Sequence, residues 1–110
     1  VPASVDSIPS SANREDHVSM GVHSALKAWT TLENVETVLA IELMCAAQGL
    51  DLRRPLKSSA PMEAVHALVR QHIPSLERDR ILYGDIQKMI TLVQSNDIQR
   101  EAHTIIGTLL

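Results

Sequence analysis

The sequence predicts an all-α chain: one long helix of a central bundle, shorter helices after it, and an ordered loop before it. Three observations predict this. Trp29 and Tyr83 are the only aromatic residues and Phe is absent, so the interior must come from Leu, Ile, Val, Ala and Met, a helix-biased mixture. Gly and Pro together number nine of 110 residues, which leaves few turns. Apolar residues recur at three-four spacing, and no strand-like alternation of useful length occurs. The expected layout within one domain fragment is a loop over 1–15, a bundle helix over 16–52 and a helical segment over 53–110.

The loop comes first. Residues 1–13, VPASVDSIPSSAN, hold four of the ten serines and two of the five prolines, with neither a period of two nor one of 3.6. From Asp16 to about Leu50 only Gly21 and Gly49 interrupt a helical pattern, and a rod of that length is about 50 Å long. Its seam runs through Val18, Val22, Ala25, Trp29, Leu32, Glu36, Leu39, Leu43, Ala46 and Leu50. Only Glu36 among them is polar. Such spacing suits a helix packed lengthwise on partner helices. Val35, Val38, Ile41, Met44 and Cys45 lie off the seam, so the second half is apolar on most sides and wants neighbours on most sides. The sixty residues that follow are too few to surround it. Missing chain, an oligomer interface or both is the expectation, and the start at Val1 in the middle of a Pro/Ser segment is read as the start of a fragment.

Asp51 to Lys57, DLRRPLK, should end the rod, with Gly49 and Pro55 as stop signals and Arg53 and Arg54 at the negative end of the helix. Three shorter helices should follow. Ser59 or Ala60 precedes Pro61 at a first-turn position, and Met62, Val65, Leu68, Val69 and Ile73 form one face ending at Pro74. Asp85 is expected to cap a helix with the inner face Ile86, Met89, Ile90 and Val93. Asn96 is expected to cap another carrying Ile98, Ala102, Ile105, Ile106 and Leu109.

Composition excludes several functions. The net charge of −3 and the lack of interleaved aromatics argue against a nucleic-acid partner. The most apolar stretch, Val38 to Ala47, is ten residues interrupted by Glu42, while a membrane span needs about twenty. One cysteine, Cys45, makes no internal disulfide, and a reducing, cytoplasmic compartment fits it. No metal is expected. Glu63 and His66 form a Glu-x-x-His pair, but a di-iron bundle needs a second pair, and His17/His23 and His66/His72 are six apart, the wrong spacing for one helix face. Nucleophilic chemistry by Cys45 is not expected, since the nearest titratable residue is Glu42. The dense polar cluster is Asn13-Arg14-Glu15-Asp16-His17. Spacing alone suits a helix start, with Asn13 as N-cap and Glu15 and Asp16 in the first turn; a carboxylate held there also suits a base or the partner of a cationic ligand.

The run PASVDSIPSSANREDHVSMG, Pro2 to Gly21, resembles a segment near the C-terminal end of the histidine ammonia-lyases, and AIELMCAAQGLDLRRPLK, Ala40 to Lys57, resembles its continuation. The resemblance implies a C-terminal part of a cytoplasmic, largely helical homotetramer. Its implied reaction takes L-histidine to trans-urocanate and ammonia on a methylidene-imidazolone (MIO) group made from an Ala-Ser-Gly triad. No Ala-Ser-Gly occurs in these 110 residues, so the chain by itself is expected to be inactive. By the same resemblance Glu15 matches the active-site glutamate, catalytic and substrate-binding, with Asn13 and Arg14 as its loop neighbours. Related lyases acting on phenylalanine have an amide at the matching place, so Glu15-Asp16-His17-Val18 points to histidine. Arg14 departs from the family's usual Gln, and a cation converging on Glu15 lowers that carboxyl's pKa and weakens it as a base. Two other readings suit the same residues: a non-catalytic helical oligomerisation module, and a lyase or aminomutase acting on another aromatic amino acid.

Overall fold

In the computed structural model the described residues are 3, 7–9, 12, 14 and 18–107. They form four helices, α1 (Gly21–Leu52), α2 (Ala60–His72), α3 (Tyr83–Gln94) and α4 (Asp97–Ile106), and no strand occurs among them. The architecture is all-α, as the periodicity predicts. The chain divides into two compact units, Val1–Val35 and Glu36–Leu110, each described by itself below.

In the first unit the loop precedes the opening turns of α1. Residues 18–20 are not helical, so the rod begins at Gly21, not at Asp16. The Ser19 hydroxyl accepts the Gly21 N–H at 3.3 Å, a short polar side chain meeting one of the amides a helix start leaves unpaired. The first turn of α1 holds no acidic residue. Capping of this helix by the 13–16 cluster is thereby corrected: a helix beginning at Gly21 takes its cap from the residues just before it. Val22, Leu26, Trp29, Leu32 and Val35 are all exposed, Trp29 at 65%. Trp29 Nε1 donates to Glu33 Oε1 at 3.1 Å, one turn on.

The second unit has its own core. Ala40 and Ala47 from α1, Val69 from α2, Ile73 just after it, and Met89 and Leu92 from α3 are buried, with Met89 and Val69 the largest side chains fully removed from solvent. Leu43, Met44, Leu68, Ile90, Val93 and Ile98 pack around them. The buried stripe of α1 runs through Ala40, Leu43, Met44 and Ala47, while Leu39 and Ala46 of the expected seam are exposed. In this half of the helix apolar side chains lie on both sides of the seam, so spacing alone does not choose the buried face. Glu36, the polar seam position, accepts a hydrogen bond from Gln94 Nε2 at 2.6 Å.

The helix ends depart from expectation in instructive ways. α2 starts after Ser59 with proline in its first turn, yet the Ser59 side chain makes no capping bond. Asp85 lies inside the first turn of α3, after the cap residue Leu82, and pairs with Arg80 Nε at 3.0 Å, so it is not the cap. Asn96 does hold the cap position of α4, through a left-handed backbone (φ 63°) that Asn tolerates better than most residues, and not through its side chain. α1 continues through Gly49 to Leu52, so Gly49 is not its stop.

Candidate functional site

Two places bring polar groups together: the loop before α1, and the junction between the end of α1 and α2. In the loop, Ser7 Oγ accepts the backbone N–H of Val18 at 2.7 Å, a bond between residues eleven apart. Ala12 within that loop has a left-handed backbone, φ 56°, which an L-residue with a Cβ adopts only under constraint. Asn13 and Glu15, the residues singled out from the sequence, lie outside the described residues. Arg14 is exposed.

The junction is not announced by the sequence. Asp51, in the last turn of α1, accepts bonds from Arg70 Nε at 2.8 Å and Nη2 at 2.6 Å through Oδ2, and its Oδ1 meets His66 Nε2 at 2.7 Å. Partial burial pushes the Asp51 carboxyl upward, but hydrogen bonds and charge from Arg70 and His66 outweigh it and hold the group below the ordinary carboxylate value. Arg54 forms a two-pronged pair with Glu63, both bonds at 2.8 Å, and Glu63 Oε1 also accepts the Ser58 N–H at 2.8 Å. Those bonds, Arg54 first, lower the Glu63 carboxyl to about 2. The Glu63-x-x-His66 pair is thus engaged by Arg54 and Asp51, and these are structural ties between helices. Each pair spans nine to nineteen residues, so no local spacing announces it.

A cleft of about 320 Å³ lies among Ile41, Met44, Cys45, Ile73, Leu82 and Ile86, with Gln48, Arg70 and Arg80 at its polar margin. The margin groups already serve the protein. Gln48 pairs with the backbone of Leu76 through both amide atoms, at 3.2 and 2.9 Å. Arg80 donates to the carbonyls of Pro74 and Ser75. Both satisfy backbone groups in a connection that has no helix of its own. What remains is a largely apolar hollow with the Cys45 thiol on its wall.

Residues 1–71 match the aromatic amino acid lyase family. The chain belongs to that family. Its relatives include proteins named histidine ammonia-lyase from Anaeromyxobacter dehalogenans (strain 2CP-C), 55% identical over 98 residues (89% of this chain, 19% of the relative), and from Sorangium cellulosum (strain So ce56), 53% identical over 108 residues (98% and 21%). The crystal structure of histidine ammonia-lyase from Trypanosoma cruzi superposes with a TM-score of 0.87 at 48% identity, covering 94% of this chain and 20% of that one. The chain spans about a fifth of the length of the curated relatives it matches. The all-α reading and the family resemblance both stand. No described helix is long and apolar enough to cross a membrane.

Proposed function

We propose that this chain is the C-terminal part of a histidine ammonia-lyase, and that Glu15 lies in an active site completed by other segments and other subunits of a cytoplasmic homotetramer. The observation that carries the reading is the segment Pro2 to Gly21, with Glu15-Asp16-His17-Val18 where phenylalanine-directed relatives have an amide. The names and identities of the relatives support it. The reaction is loss of ammonia from L-histidine to give trans-urocanate. An anionic Glu15 complements an imidazole that gains positive character as electrons move toward the departing amine. Asn13 and Arg14 flank it in the loop, and the hydrated Arg14 leaves that anchoring role intact.

The family's MIO group does not fit this chain taken alone. Its Ala-Ser-Gly precursor is absent from the 110 residues. The isolated chain is expected to be inactive. What the chain contributes is the carboxylate and the helices that carry it. In the complete polypeptide, Glu15→Gln is expected to lower turnover of L-histidine by about a hundredfold or more, the size a positioned acid or base supplies. Turnover near normal rejects the assignment.

One observation favours an additional role in assembly. Val22, Leu26, Trp29, Leu32 and Val35 leave the first half of α1 apolar and exposed, as a helix that packs on further helices would be.

A further inference from the structure

His66 stands between two opposite charges at the junction of α1 and α2. Its Nε2 lies 2.7 Å from Asp51 Oδ1, and its Nδ1 lies 3.5 Å from Arg54 Nη2. An ionised carboxylate only accepts and a guanidinium only donates, so these partners require a ring with its proton on Nε2 and a lone pair on Nδ1. We propose that His66 is an acid-sensitive latch. As a neutral ring it accepts Arg54 and helps to hold the turn between α1 and α2; on taking a second proton it releases Arg54 and bonds Glu63 in its place.

The surroundings of the ring give that exchange its direction. The charged groups facing it are Asp51 from the last turn of α1, Arg54 from the turn and Glu63 from the first turn of α2, while Arg70 of α2 acts on it through the shared Asp51. Its other neighbours are apolar residues of α1 and α2, Leu43, Ala47, Leu50 and Met62 among them. A proton on Nδ1 turns the acceptor for Arg54 into a donor and sets a positive ring against a guanidinium, so the hydrogen bond is lost and like charges repel. The His66 side chain is only 10% exposed, which leaves little water to screen that repulsion. Glu63, three residues earlier on the same helix, is within one turn of the ring. When it swings to the Nδ1–H, its two bonds from Arg54 and its bond from the Ser58 N–H open together. Attraction to Asp51 and Glu63 replaces the contact with Arg54, so the change is confined to the turn and the fold persists.

Amide hydrogen exchange at Ser58 reads the latch directly. It should be followed in the complete polypeptide from about pH 8 to about pH 5.5, the range in which imidazoles change charge, and corrected for the intrinsic effect of pH. Glu63, held at about 2, and Asp51, held below its ordinary value, stay ionised throughout that range. Exchange at Ser58 is expected to quicken about tenfold on acidification, the size of one lost hydrogen bond, while the amides of α3 remain protected. His66→Gln supplies a donor and an acceptor without a titratable ring and should abolish the pH dependence. Arg54→Gln should abolish it as well, because a charged ring then has no guanidinium to expel. If one variant loses the protection of α3, the other decides. A change under about threefold in the parent overturns the proposal, as does a pH dependence that persists in either folded variant.

Discussion

The two halves of α1 share one helix and differ in what they ask of the rest of the protein. Beyond Glu36 the helix meets α2 and α3 through Ala40 and Ala47, beside the fully buried Met89 and Val69, and its end is tied to α2 by Asp51, His66 and Arg70. Before Glu36 it displays Val22, Leu26, Trp29, Leu32 and Val35 to solvent and follows a loop cross-tied by Ser7. The contrast teaches that the buried core of this chain belongs to one stretch, while the chemistry proposed for it belongs to another. The second unit supplies its own core, and the first leaves the apolar face of α1 exposed.

The comparison breaks most visibly at the core. Met89→Ala should destabilise the second unit by about 2–5 kcal/mol, read by chemical denaturation, because a fully buried thioether leaves a cavity. A loss under about 1 kcal/mol would mean that the core is not where the fold places it. Asp51→Asn comes next, at about 1–3 kcal/mol, since Arg70 and His66 would then face an amide in place of a carboxylate that receives three bonds.

Acid should loosen the same junction. Asp51 and Glu63 are both held below their ordinary values, Glu63 at about 2. Carboxyls lowered in the fold stabilise it above the unfolded-state value and lose that contribution as pH falls through the folded one. Stability should therefore be level from neutrality to about pH 5 and decline between about 4.5 and 2. Glu63→Gln should flatten part of that decline, measured as Tm against pH. The smallest effect expected in this chain is Trp29→Ala, within about 0.5 kcal/mol for a side chain so exposed. In the complete polypeptide the same change should cost about 3–5 kcal/mol if a bundle covers the ring. Equal small costs in both would mean that the first half of α1 stays bare.

Much of this was legible in the sequence because helices announce themselves locally. The order of one long and three short helices follows from three-four spacing and from the prolines at 55, 61 and 74. What was misread depended on distant partners. Asp85 reads as a cap until Arg80 claims it, and nothing in the sequence foretells that Glu63 and His66, rightly passed over as a metal pair, meet Arg54 and Asp51. The start of α1 was placed too early because the apolar seam continues through Val18, and Ser19, the residue that meets the first helical amide, carried no weight in that pattern. The buried stripe was displaced because apolar residues flank the seam on both sides, so periodicity alone did not choose among faces. Glu15 was marked by resemblance; spacing left it as readily a helix-start carboxylate.

The central claim separates chemistry in the loop from stability in the core, and one variant measures both together. Turnover of L-histidine and Tm should be determined for Glu15→Gln in the complete polypeptide. The account predicts turnover lowered by about a hundredfold or more with Tm unchanged. Turnover near normal, or a loss matched by a collapse in Tm, would contradict it.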